Sequence, residues 1–465
     1  MAVPKIFESE LKVVNFGLES FRKGLSDSGV KSVQVQFKPP LVNDRKLFEK
    51  VEKRASAVAK ANHIALEKIL AAKPALVGMD IALKVIPGMR RDLILHAGPP
   101  ITWERMCGPM RGGILAALMY EGLAKNPKEA EKLAASGKIK YAPCHEHSSV
   151  GPMAGIISAS MPVFIVKNET DGNYSYATMN EGLGKVLRYG AYSPEVIERL
   201  KWMETGLYPA LKAAIGLLGR IDLKTIIAQA LHMGDEVHNR NRAATSLFYR
   251  AIAPAVIKTS SPEAAAKALE FINGNDHFFL NLSMALSKAS LDAGRGVKNS
   301  SLIVVMARNG TDFGVQLAGS GRWFTGPAPV PDALYFPGYT KADANPDIGD
   351  SAITETNGLG GFAIAAAPAI VQFVGGKAAD AVSYTLAMYE ITAGENNVYK
   401  IPYLDFRGTP TGIDVVKVAR SGILPFIDTG VAHKKAGVGQ VGAGVLSAPP
   451  EPFVKAFEWF AASFK

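Results

Sequence analysis

The chain has 465 residues, 48% of them hydrophobic and 20% charged, too long for a single core and too apolar for a disordered chain, so two or three domains are expected. The formal net charge is +10, yet Lys and Arg are scattered and no basic-aromatic stripe marks a nucleic-acid surface, so a small anionic substrate suits the balance better. Two cysteines, Cys107 and Cys144, exclude a disulfide framework and fit a reducing compartment.

Glu8, Glu10 and Lys12 stand where a signal peptide would need an apolar core, and the most apolar later run, 362–374, is too short to span a bilayer. A cytoplasmic protein without a membrane partner is expected. Residues 12–17 read as a strand ending on Gly17, 18–27 as an amphipathic segment and 32–37 as a second strand. That is a compact βαβ unit whose loop at Gly17–Ser20 opens onto a helix N-terminus, where anions bind readily, although one glycine is no nucleotide fingerprint. Residues 44–70 read as one long helix rich in Ala, Glu and Lys.

Next comes a Gly/Pro-rich loop, 96–113, holding His96, Arg105 and Arg111. A helix is expected from 114 to 123, which would place Arg111 and two glycines at its N-terminus, where a guanidinium and free N–H groups could hold an anion. The loop 143–155 carries Cys144, His145 and His147. It has no second Cys/His pair at zinc-site spacing, so it could hold a metal only with ligands from elsewhere, and hydrogen bonding to a substrate is the competing use. Residues 161–166 read as a strand.

From 194 to 293 the pattern is helical, in segments 194–218, 222–232, 242–257, 262–272 and 277–293, with Ser193 and Ser261 as caps before Pro194 and Pro262. The fold class is therefore α+β: an N-terminal βαβ unit (1–75), a mixed α/β core in two parts (76–190 and 296–465) and an inserted all-helical domain (191–295). Within the insert, 232–246 concentrates His232, Asp235, Glu236, His238, Asn239, Arg240 and Arg242 between two apolar runs. Helical spacing would place His232 with Glu236, Asp235 with His238, and His238 with Arg242. Such a cluster can bind a metal, relay protons, grip an anion or serve as a buried polar network. Asp276, His277 and Asn281 form the second polar group of the insert.

The apolar run 301–308 reads as a buried strand entering an Asn309-Gly310 hairpin. Arg308 at its end must reach a cavity or a buried partner, and the reading places it in an anion pocket. The loop 349–361 offers Asp350, Ser351, Thr354 and Glu355 among glycines. It lacks a Walker lysine, so no NTPase is indicated. A helix is expected at 362–374, a further polar loop with Arg407 at 405–414, closing strands at 428–433 and 437–444, and a terminal amphipathic helix at 449–464.

Taken together, the motifs HAGPPITWERMCGPMR (96–111), NEGLGKVLR (180–188), HMGDEVHNRNR (232–242), NDHFFLNLS (275–283), MARNGT (306–311), GDSAITET (349–356) and DFRGTPTGID (405–414) give the chain a family likeness along nearly its whole length. It resembles the AllG-like or YlbE-like subunit family of oxamate carbamoyltransferase, long filed as a bacterial domain of unknown function. Val237, where the family often has Cys, and the surroundings Glu146 and Ser148 of the His loop depart from its pattern. The resemblance implies carbamoyl transfer between carbamoyl phosphate and oxamate in allantoin degradation, running from oxalurate plus phosphate, with other subunits completing an oligomeric enzyme.

The chemistry of that transfer needs cations and amides around phosphate, a clamp for a carboxylate and a group to move a proton. The residue types assign His232, Asp235, Glu236 and His238 as candidate catalytic groups. Candidate substrate contacts are His96, Arg105, Arg111, His145, His147, Asn239, Arg240, Arg242, Asp276, His277, Asn281, Arg308, Asn309, Asp350, Ser351, Thr354, Glu355 and Arg407. No cofactor and no metal are assigned. The alternatives are a metal-dependent hydrolase of a small anion, built on the His232–His238 stretch with Cys144 and His147, and a non-catalytic anion-binding partner subunit.

Overall fold

The computed structural model describes residues 11–16, 18–35, 39–370 and 377–464. Val13, Val14, Val33 and Val35 suit extended backbone, and the strands Lys12–Phe16 and Lys31–Val35 pair in parallel around the helix Glu19–Asp27. This is the expected βαβ unit. Gly17, with the anion loop expected there, and the 36–37 end of the second strand lie outside the described residues. The helical pattern 44–70 resolves into two helices. Asp44 caps Arg45–Glu52 by accepting from the Lys46 and Leu47 amides, and after a turn at Lys53 and Arg54 the chain resumes as Ala55–Ala71.

The molecule is α+β, built on several small sheets. One runs Tyr174–Thr178, Pro162–Asn168, Pro74–Ile81, Ile221–Asp222, all antiparallel. A second runs Phe324–Pro327, Asp312–Leu317, Ile303–Asn309, Ile348–Gly349, with Arg308 opposite Phe313 across the Asn309-Gly310 hairpin. A third joins Ala333–Tyr335, Gln440–Ser447 and Phe426–Ala432. Among the described residues no helix is long and apolar enough to cross a membrane.

Residues 194–293 are largely helical: Pro194–Trp202, Tyr208–Leu218, Leu223–His232, Arg242–Thr259, Pro262–Asn273 and Leu280–Ala293. Between the first two the backbone widens into a π-turn, Met203–Leu207, next to Pro209, which has no N–H to give the preceding turn. Ser261 caps its helix through Ala264 N, whereas the Ser193 hydroxyl turns to Glu195 instead. The helices do not close on themselves. Phe248, Phe278 and Phe279 share one core with Leu76, Phe164 and Val166 of the first sheet and Val304 and Val305 of the second. Leu280–Ala293 is buried on nearly every side, so its polar residues, Asn281, Ser283, Ser287 and Lys288, must find partners inside.

Two further local expectations fail. The helix expected from residue 114 starts at Gly108, so Arg111 lies a turn inside Gly108–Tyr120. Gly112 serves close packing: a Cβ there would sit 2.1 Å from Gly190 O. The run expected as a helix from 362 breaks into the 3-10 turns Gly360–Phe362, Ile364–Ala366 and Pro368–Ile370, and its 371–374 end lies outside the described residues.

Candidate functional site

Leu223–His232 ends because Gly234 takes φ +85° and the Asp235 amide turns back to Ala230 O at 3.0 Å. Helical spacing therefore does not extend past His232. That ring is exposed and meets Phe406 edge-on at 5.7 Å, while Glu236 turns into the interior. The loop that follows is stapled by its own carboxylates. Asp235 accepts from Ala244 N at 2.9 Å, capping Arg242–Thr259, and pairs with Arg240 at 3.3 Å. Glu236 accepts from the amides of His238, at 2.5 Å, and Arg240. Between them the buried Val237 holds φ +58°, a costly conformation for a β-branched residue, pinned by its amide bond to Arg240 O.

The loop aims His238 inward. Its Nδ1 lies 2.7 Å from Glu355 Oε1 and 2.8 Å from Asp428 Oδ1, and all three side chains are buried. Burial disfavours the imidazolium, but the two carboxylates outweigh it and push its pKa up to about 10. Burial pushes Asp428 up to about 6 against the pull of His238, and pushes Glu236 well above the usual carboxylate range with help from the Asp428 charge. Glu355 is held low: burial opposes its charge, but His238 and the Gly361 amide prevail. Gly360 lets the backbone close over this carboxylate. It has φ +55°, and a Cβ would meet Glu355 Oε1 at 2.3 Å. Among the described residues, His238, Glu355 and Asp428 are the group whose ligand atoms lie close enough together, within 4.8 Å, to surround a cation.

The next residues of the loop line a cleft of about 220 Å³, with Asn239, Arg240, Asn241, Arg242, Asp276 and His277 beside Leu183, Ala369 and Ile370. Asn239 Nδ2, Asn241 Oδ1 and His277 Nδ1 are buried there without a hydrogen-bond partner in the protein, a condition that calls for a ligand or water. Burial first, then the charges of Arg188 and His238, push the His277 pKa down to about 3, so it is a neutral imidazole. Arg242 stays exposed and pairs loosely with Asp276 at 3.7 Å. Asn281 stands behind, donating to Thr178 O and accepting from Asn180, while Asn275 donates to Asn180 O.

A second polar knot forms where three of the dense loops meet. Asp350 accepts from Gly98 N at 2.8 Å and Gly151 N at 3.0 Å, with His145 Nε2 at 3.5 Å. Arg308 is wholly buried. Its fork spans Asp347 at 2.6 and 3.1 Å, and it also donates to Gly349 O and Thr429. The expectation of a pocket-facing Arg308 is thus met by the other possibility, a buried partner, because Asp347 and the adjacent backbone absorb its donors. Asn309 ties the hairpin to Pro99 O, His96 donates to Ala97 O, and Ser351 O accepts from Thr354, whose hydroxyl also lies 3.0 Å from Glu355.

Four further residues named from the sequence lie outside both clusters. Arg105 pairs with Asp312, and Arg111 donates to the Trp103 and Glu104 carbonyls over the Trp103 ring. His147 Nδ1 faces Pro87 O, and Arg407 pairs with Glu395 over the Tyr389 ring. The sequence reading missed Asp428, Asp347 and Lys288, whose buried ammonium donates to His145 O beside Asp350 and pairs with Asp292. Asp428 had one signal, a carboxylate at the start of the expected closing strand 428–433.

Residues 139–351 match the family model described as oxamate carbamoyltransferase subunit AllG. The chain is 47% identical to the uncharacterized protein YahG of Escherichia coli K12, over 97% of both chains. It is 44% identical to the oxamate carbamoyltransferase subunit AllG of the same organism, over 88% of this chain and 99% of that one. A crystal structure of a conserved protein of unknown function from Enterococcus faecalis V583 superposes with a TM-score of 0.86 at 47% identity, covering 90% of this chain and 99% of that one.

Proposed function

Because the chain belongs to the family of the oxamate carbamoyltransferase subunit AllG, we propose that it is a carbamoyltransferase subunit acting on the oxalurate–phosphate and carbamoyl phosphate–oxamate pairs, together with other subunits. A phosphate oxygen attacks the ureido carbonyl carbon of oxalurate. The new C–O bond forms, the C–N bond to the oxamate nitrogen breaks, and the proton released by phosphate goes to that nitrogen.

The observation that supports this reading is the cleft, where two guanidinium groups stand among unpartnered polar atoms. Arg240 and Arg242 offer charge for phosphate and for the oxamate carboxylate. Asn239 Nδ2 offers a donor to the carbonyl oxygen on which charge develops. The neutral His277 offers its unpartnered Nδ1 as a hydrogen-bonding position for the substrate.

Calorimetric titration of phosphate, carbamoyl phosphate, oxamate and oxalurate, into the chain alone and into its complex with the partner subunits, tests the assignment. Binding of these anions, lost when Arg240 and Arg242 are replaced together by Ala, is the expected result. No binding by the wild-type complex removes the assignment.

A further inference from the structure

The buried group behind the cleft has donors and a charge balance that protein atoms leave incomplete. Glu236, Glu355 and Asp428 are fully buried, and one imidazole, His238, faces them. Glu236 spends its oxygens on the amides of its own loop, and Glu355 accepts from Gly361 N and, at 3.3 Å, from Asp428 N, and faces Thr354. Asp428 is different: Oδ1 faces only the His238 ring, at 2.8 Å, and Oδ2 has no hydrogen-bond partner, although the side chain is 0% exposed. A carboxylate in that position calls for a cation or a proton.

We propose that His238 Nδ1, Glu355 Oε1 and Asp428 Oδ1 bind one divalent cation, which ties the 233–241 loop to the 355–361 turn and the strand Phe426–Ala432. Adjacent ligands around a cation with bonds of about 2.1 Å lie roughly 3 Å apart, and here the imidazole nitrogen stands 2.7 and 2.8 Å from the two carboxylate oxygens. One imidazole with two carboxylates suits Mn²⁺ or Zn²⁺ better than Ca²⁺, which prefers oxygen ligands throughout. Binding displaces the proton that His238 Nδ1 otherwise places between the two carboxylate oxygens. It also holds His238 where the adjoining Asn239 lines the cleft, so it organises the floor of that cleft. This inference does not depend on the carbamoyl-transfer reading, because it concerns a site that loads in the absence of any substrate.

The test uses untagged, full-length protein. Metal content is measured as purified, and Mn²⁺, Zn²⁺ and Mg²⁺ are then titrated calorimetrically into chelator-treated protein whose fold is checked by circular dichroism. One Mn²⁺ or Zn²⁺ per chain, a higher melting temperature on loading, and at least tenfold weaker binding in Asp428→Asn and His238→Gln are expected. Should a variant fail to fold, the metal content and cation-dependent melting of wild type decide the matter. Wild type that neither carries nor binds a cation, or variants that bind it as tightly as wild type, would overturn the proposal.

Discussion

His238 and Glu355, 117 positions apart in the chain, meet at 2.7 Å inside the protein. The contact joins a loop between two helices to the one-turn helix Ile353–Thr356 beyond the hairpin sheet. Breaking a buried charged pair from one side costs about 3–5 kcal/mol. Glu355→Ala is therefore expected to lower unfolding free energy by about 3 kcal/mol in urea denaturation, and a loss below about 1 kcal/mol would show that the contact is not a structural tie.

Gly360 gives a steric probe of the same junction. Alanine there must take φ +55° and place its Cβ 2.3 Å from Glu355 Oε1. Gly360→Ala is expected to destabilise by about 2–4 kcal/mol, whereas alanine at Gly216, in the last turn of Tyr208–Leu218 where a Cβ meets nothing within 4 Å, should raise stability by up to about 1 kcal/mol. Equal melting temperatures for the two variants would contradict the packing described.

Arg308 and Arg242 should separate stability from binding. Arg308→Lys loses the fork to Asp347 in a fully buried setting and is expected to cost about 2–4 kcal/mol of stability. Arg242→Ala removes an exposed side chain, so stability should shift by under about 0.5 kcal/mol while anion affinity falls roughly tenfold. Denaturation and calorimetry on both variants check the pair, and the reverse pattern would move the anion site to Arg308.

Asp350 should impose a pH dependence. Burial pushes its pKa from 3.8 up to about 7, against the Gly98 and Gly151 amides and the charges of Arg308 and Lys288. The folded state then holds a proton that the unfolded state releases. The associated stability is fully present below about pH 4 and is lost as pH rises through 7, by up to about 4 kcal/mol. Unfolding free energies of wild type minus Asp350→Asn should fall over this window, and a flat difference would mean that Asp350 is ionised throughout.

Much of the architecture was legible because local signals report backbone conformation and burial. Pro194 and Pro262 marked helix starts, Asn309-Gly310 the hairpin, and the apolar run before Arg308 a buried strand. Loop composition likewise pointed to Asn239, Arg240, Arg242, Asp276 and His277, which line one cleft. Helical periodicity misled at 232–242, because φ values of +85° at Gly234 and +58° at Val237 end the helix and turn Glu236 and His238 inward.

The sequence by itself determined the family, the mixed α+β class and the stretches rich in polar side chains, since each is written in residue type and short-range spacing. Only the tertiary structure decided that Arg308 answers Asp347 and that His238 meets Glu355 and Asp428. Those partners come from different sheets and turns. A buried charge will accept any opposite charge that packing brings within reach, so its partner depends on how the layers meet, which local spacing does not encode.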